Sequence, residues 1–280
     1  MPFTYLAHQA PVLPLARSKR GHVDGVALVF GSMAPDAAYV LLGSRFAVDA
    51  HAFPAVLAFG VPFTLIVSLL VVRVLAPVVP AHLPDVGPFH LRDYRGLATH
   101  RFHWGWSAVW AAAGALSHVV LDAFTNSSGW LPHHARWYRA RVLPGVWLHR
   151  EWTVFRVVQY ASHIGLSIVA VLLLARYGRE RWMAGRARRV PLPRVSIATH
   201  AVLWSMTAIG AVAGLAWGFH ERHGYGSSLM RLSAGVFTGM VAGALAAAGA
   251  GRSRGHGEHD RVREVVAGST VELTTARHEA

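Results

Sequence analysis

Long apolar runs separated by short, arginine-rich polar connections set the pattern of this chain. A membrane-spanning helix needs about 20 mostly apolar residues. Five stretches reach that length: Ala52 to Val72, Trp104 to Thr125, Val157 to Ala175, Val195 to Phe219 and Leu232 to Ala250. Four of them are free of charge, whereas the second contains Asp122 together with His118. A sixth apolar stretch, Gly25 to Gly43, is interrupted by Pro35 and Asp36 and reads as two short helices, a re-entrant hairpin or a poor span, with re-entry preferred. Pro35 lacks a backbone donor and disfavours helix at Ala34. A helix is therefore expected to restart near Asp36, whose carboxylate suits the positive end of the helix dipole. Non-helical backbone at that depth must be buried in protein or line a wet cavity.

Between the spans lie a Pro- and His-containing loop from Arg73 to His103, an Arg/Trp/His loop from Asn126 to Arg156, and a basic linker from Arg176 to Arg194. The pattern predicts an all-α polytopic transmembrane helical bundle of about five spans plus an N-terminal re-entrant or short-helix segment. Residues 1–251 form one membrane domain in this reading, and the polar tail 252–280 lacks apolar periodicity and is expected to be disordered.

Composition agrees with the membrane assignment. Hydrophobic residues make up 53% and charged residues 15% of the chain, and the mean hydropathy of +0.35 is too high for an ordinary soluble domain. There is no cysteine, so disulfides and thiolate metal sites are excluded and any metal must sit on His, Asp or Glu. The net charge of +13 is almost wholly arginine. Because the arginines flank apolar runs, membrane lipids are the expected partner and nucleic acid is not. Basic residues of the Arg176 to Arg194 linker place it in the cytoplasm and the N-terminus outside. Arg17, Lys19 and Arg20 follow the first apolar stretch instead of preceding it, which is not the order of a signal peptide.

The strongest chemical signal is GALSHVVLDAFTN, in which His118 and Asp122 stand four residues apart on one helix face. Side chains so spaced lie about 6 Å apart at Cβ, near enough to share a metal or to form a hydrogen bond that merely joins helices. A carboxylate at the centre of a span costs roughly 2.5–3.5 kcal/mol and calls for a partner. The second signal is Asp36 in GSMAPD, either a ligand or an ordinary helix N-terminal acid. His51 in VDAHAFPAV and His8 in MPFTYLAHQA are ligand candidates or solvated interfacial histidines, and Asp49 is a weaker neighbour. Topology adds weight, because a hairpin of the first two spans brings His51 to the same face as His118 and Asp122. Re-entry would bring His8 and Asp36 there too, with Gln159 and His163 at the start of the third span as polar supports. Such a His/Asp set suits a divalent metal, Zn first. His133, His134 and His149, and likewise His82, His90, His100 and His103, read as interfacial residues. Small-residue spacing at Gly239 and Gly243 suits close helix packing and raises a homodimer.

The combination of MPFT with a following His, GSMAPD, GALSHVVLDAFTN with Gly129-Trp130, and QYAS resembles an uncharacterised bacterial membrane family, domain of unknown function 4184, over about the first 175 residues. The order His, Asp, His, HxxxD is also similar to YdjM-type inner-membrane metal-dependent hydrolases and, more distantly, to zinc-dependent phospholipase C. The resemblance implies His8, Asp36, His51, His118 and Asp122 as metal ligands, with His8 and His51 further eligible as catalytic general base. The family pattern has its first His one residue sooner and a Ser where this chain has Ala52. The expected function is a metal-dependent hydrolase in the bacterial inner membrane, acting at the interface on an amphiphile with an ester or phosphoester bond. Its rivals are a small transporter that relays ions or protons, and a structural scaffold.

Overall fold

The computed structural model describes residues 4–18, 22–126, 129–147, 150–193, 195–220 and 227–250. Arg194, His149 and the tail 252–280 lie outside the described residues. Four short helices open the chain, α1 (Thr4–Gln9), α2 (Leu13–Ala16), α3 (Gly25–Gly31) and α4 (Ala34–Ala37). Then come α5 (Phe53–His82), α6 (Trp104–Thr125) and α7 (Trp130–His134), followed by a small antiparallel pair, β1 (Arg141–Trp147) and β2 (Arg150–Thr153). The remainder is α8 (Val154–Arg179), α9 (Ala184–Ala187), α10 (Ile197–His220) and α11 (Ser227–Ala250). Five of these helices, α5, α6, α8, α10 and α11, are long and apolar enough to cross a membrane. The chain is an all-α multi-pass membrane protein, and the β pair merely decorates one loop.

The first span is longer than its apolar run predicts, continuing from Val72 through Pro77 and Pro80 to His82. Two π-helical stretches, Val56–Gly60 and Val71–Leu75, make this possible. Each wide turn precedes a proline, Pro62 or Pro77, and absorbs the donor that an α-helical turn would need there.

Alternating helix directions define two ends of the bundle. The linker end holds the finish of α5 and α8 and the start of α6. There Arg181 makes a two-pronged contact with Asp93 at 2.6 and 3.1 Å, and Arg95 reaches the carbonyls of Ala187 and Val190. The opposite end holds the start of α5, the finish of α6 and the start of α8. Residues 4–18 and 22–41 thread between these ends as two inner arms. Ala10 and Leu13 pack on Ala170 and Tyr177 of α8, and Arg17 meets Tyr177 and Glu180, so α1 and α2 run toward the linker end. Asp24 then turns the chain, and α3 climbs back beside α6.

The expected re-entry of Gly25 to Gly43 is therefore corrected. This stretch begins at the linker end, where Asp24 meets Ser107, and finishes at the other, where Arg231 at the start of α11 reaches the carbonyls of Val40 and Leu42. It passes from end to end as two short helices. The break at Pro35 is tolerated because Ala34, Pro35 and Asp36 are buried in protein. Gly210, Gly214, Gly235, Gly239 and Gly243 bring α10 and α11 into backbone contact, so the small-residue stripe is occupied within the chain.

Candidate metal centre

Asp24 fixes the segment on which the site depends. Its Oδ1 accepts hydrogen bonds from the backbone N–H of Val26 and Ala27 and so caps α3, while Oδ2 accepts from Ser107 at 2.5 Å and lies 3.2 Å from His100 Nε2. Burial alone would raise the Asp24 carboxyl, but these hydrogen bonds outweigh it and hold the group below its ordinary range. Farther along, Gly31 and Gly114 remove the side chains that would keep α3 and α6 apart. That close approach lets the Ser32 carbonyl oxygen reach His118 Nδ1 at 2.8 Å. The Nδ1–H donates to it, which fixes the ring and leaves the Nε2 lone pair facing inward.

Around that nitrogen the chain gathers groups from five segments. His118 Nε2 lies 3.6 Å from Asp36 Oδ1 and 3.7 Å from Asp122 Oδ2. His51 Nε2 lies 3.3 Å from Asp122 Oδ2 and 3.9 Å from Asp36 Oδ1. His8 Nε2 lies 3.6 Å from Asp122 Oδ1, and its ring stacks on that of His118 with centroids 3.6 Å apart. His163, one-third of the way along α8, presents its ring edge to His8 at 5.7 Å. All five sequence-derived candidates, His8, Asp36, His51, His118 and Asp122, thus meet at one place.

Most of these separations are too long for hydrogen bonds. Two donors on one tetrahedral Zn²⁺ at about 2.1 Å stand roughly 3.4 Å apart, close to the spacings seen. Both ring nitrogens of His8, Nε2 of His51 and His118, Nδ1 of His163 and Oδ2 of Asp36 are buried without a hydrogen-bond partner. Orphaned polar atoms of this kind are costly in a protein interior unless an ion or water satisfies them. Three triplets, His8/Asp36/His118, His51/His118/Asp122 and His8/Asp122/His163, have donor atoms all within 4.8 Å of one another. The donor set of imidazole and carboxylate without sulfur fits a borderline or hard divalent ion.

Accessibility separates the members. The side chains of His8 and His118 are 1% and 0% exposed, whereas His51 is 23% exposed and stands beside the Tyr39 ring. Burial, reinforced by the adjacent His118, pushes the His8 imidazole well below its ordinary range, so it is neutral and able to offer a lone pair. Tyr39 was not signalled by the sequence beyond its place one turn after Asp36, and His163 stood out only as a polar residue in a charge-free span. Asp24 carried a local sign, an acid directly before Gly and an apolar run, which is an N-cap pattern.

The other candidates lie elsewhere. Asp49 is exposed and accepts from the backbone N–H of His51. Gln159 is buried one turn before His163. His133 and His134 are exposed on α7, where His134 stacks on Trp130 and His133 meets Arg139, as interfacial residues do. His82 is buried against His200, and His90, His100 and His103 belong to the linker end.

No curated protein and no solved structure matches the chain. A family model does, from residue 1 to residue 249, well past the 175 residues that carry the motifs. Arg231 gives a physical reason for the longer unit, since the last helices hold the loop that follows α4. The chain belongs to the family described as Domain of unknown function (DUF4184).

Proposed function

We propose that this chain is a membrane-embedded, metal-dependent hydrolase that acts on an amphiphile with an ester or phosphoester bond. The observation that carries the reading is the convergence of His8, Asp36, His51, His118 and Asp122, with their facing nitrogens unpartnered, near one end of the bundle. A divalent ion in such a donor set lowers the pKa of a bound water toward neutrality and polarises an ester or phosphoryl oxygen. In this reading Asp36, His118, Asp122 and the fully buried His8 are ligands. His51, the most exposed of the histidines, is the ligand or general base nearest the entrance. The likeness of the motif order to YdjM-type hydrolases supports hydrolysis over other metal chemistry.

An amphiphilic substrate suits the surroundings. Leu42, Phe46, Val48 and Phe53, which precede or open α5, and Trp130 and Trp137, which follow α6, are exposed large apolar residues near the site end, and aromatic residues of this kind suit the level where headgroups meet hydrocarbon. Transport would call for ionisable groups at successive depths; the five candidate ligands are gathered at one level, and Asp24 and His100 at the linker end are engaged in holding α3. The basic linker lies at the opposite end, so a cytoplasmic linker puts the site at the outer face of a bacterial inner membrane.

Elemental analysis of detergent-purified protein tests the reading, with zinc expected in the wild type and lost from His118→Ala/Asp122→Ala. Chelator-sensitive release of a fluorophore from a short-chain phospholipid in mixed micelles is the matching activity. Metal content near zero, or unchanged by the double substitution, removes the hydrolase.

A further inference from the structure

We infer that the centre takes two divalent ions, not one, with Asp122 as the carboxylate bridge between them and His163 as a ligand of the second. The inference rests on the metal-centre reading above and extends it to the count of ions. Its first support is the way Asp122 divides its two oxygens. Oδ1 faces His8 Nε2 at 3.6 Å, and Oδ2 faces His51 Nε2 at 3.3 Å and His118 Nε2 at 3.7 Å. A carboxylate serving one ion would direct a single oxygen, or both, at a common point.

The second support is the His8/His118 stack. The rings lie 3.6 Å apart and only 16° from parallel, with each Nε2 facing a different oxygen of the same carboxylate. Nearly parallel rings with centroids 3.6 Å apart, turned to different oxygens of one carboxylate, suit ligands of two neighbouring ions, which in paired catalytic sites stand about 3.5–4 Å apart. The third is donor number. His118, His51 and Asp36 surround the Oδ2 side. On the Oδ1 side, His8, Asp122 and His163 form a triplet of their own. His8 and His163 are buried, at 1% and 5% exposure, and both ring nitrogens of His8 lack a hydrogen-bond partner. A single ion among His8, Asp36 and His118 leaves the second triplet, His8, Asp122 and His163, without an ion.

Two divalent ions bring four positive charges against two carboxylates. The surplus favours an anionic substrate group, which narrows the substrate class from esters in general to phosphoesters.

The test is ion stoichiometry in the full-length, detergent-purified chain loaded with Mn²⁺ and freed of excess metal, read as ions per chain by elemental and amino-acid analysis. Electron paramagnetic resonance reports magnetic coupling on the same samples. The expected result is two ions per wild-type chain with a coupled spectrum, and one ion with an uncoupled spectrum in both His163→Ala and His163→Gln. One ion per wild-type chain, or two ions retained in both His163 variants, overturns the inference while the hydrolase reading stands. No bound ion in the wild type overturns both. The wild-type count decides the matter even if a His163 variant fails to fold.

Discussion

Replacing Gly114 by Ala tests whether the site is held by the close approach of α3 to α6. A Cβ at Gly114 would overlap the carbonyl oxygen of Leu28 and stand 2.8 Å from the backbone nitrogen of Ser32 and 3.0 Å from the carbonyl carbon of Gly31. All three are backbone atoms, so no side chain can rotate aside, and α3 must back away by about 1 Å to restore normal contact. Overpacking of this kind costs about 1–3 kcal/mol, offset by the helix preference of Ala over Gly, about 1 kcal/mol. A net loss of up to about 2 kcal/mol lowers the melting temperature by about 2–4 °C for each kcal/mol. The same movement draws the Ser32 carbonyl from His118 Nδ1. Loss of such an orienting hydrogen bond weakens metal affinity about 10–100-fold. Thermal unfolding in detergent and competition with a graded chelator measure the two effects. Gly165→Ala is the control, because its Cβ meets nothing within 4 Å. If Gly114→Ala matches Gly165→Ala in both assays, the two helices are not held together as described.

Asp24 sets an acid limit on stability. Its carboxyl is lowered in the folded state, so its contribution is complete above the unfolded value near pH 4 and is lost as pH falls through the lower folded value. Asp24→Asn is expected to cost about 1 kcal/mol at neutral pH, because the bonds to Ser107 and His100 lose their charge, and to flatten the fall of melting temperature below about pH 4; an unchanged acid slope counts against it. Arg231→Lys keeps the charge but loses the fork that reaches the carbonyls of Val40 and Leu42 and lies 4.7 Å from the Trp217 ring centroid. It should destabilise the protein by about 2 kcal/mol and speed limited proteolysis within residues 42–52, and wild-type cleavage rates would contradict the anchoring role. If the proposed metal is bound, chelation of wild-type protein at neutral pH should lower its melting temperature, whereas Asp122→Asn, which lacks the proposed ligand carboxylate, should respond little.

The spans were legible because hydrocarbon imposes a length and an apolar composition that survive in any sequence. The exception was α5, whose last turns carry Pro77 and Pro80 and are helical only because π-turns accommodate them. The candidate ligands were legible as acids and imidazoles in segments otherwise too apolar to tolerate them. Their convergence could be argued for His51, His118 and Asp122 from an antiparallel hairpin alone. For His8 and Asp36 the sequence pointed to the right end by a wrong route, since re-entry and an end-to-end crossing deliver Asp36 to the same level. The difference lies in Asp24, His100 and Ser107, whose contacts span 76 and 83 positions and leave no local trace. His163 was undervalued for a similar reason, because only the ring edge it turns toward His8 reveals its part.

The inner placement of α1 to α4 has a consequence for biogenesis. A ribosome delivers His8 and Asp36 before α5, α6 and α8 exist, yet those later helices supply the walls and the other donors. The opening segment therefore reaches its final packing only after the third long helix is in place. In the proposed two-ion centre, a chain truncated before α8 would keep His8, Asp36, His51, His118 and Asp122 and lose His163 alone, so the second ion would be taken up only after α8 is in place.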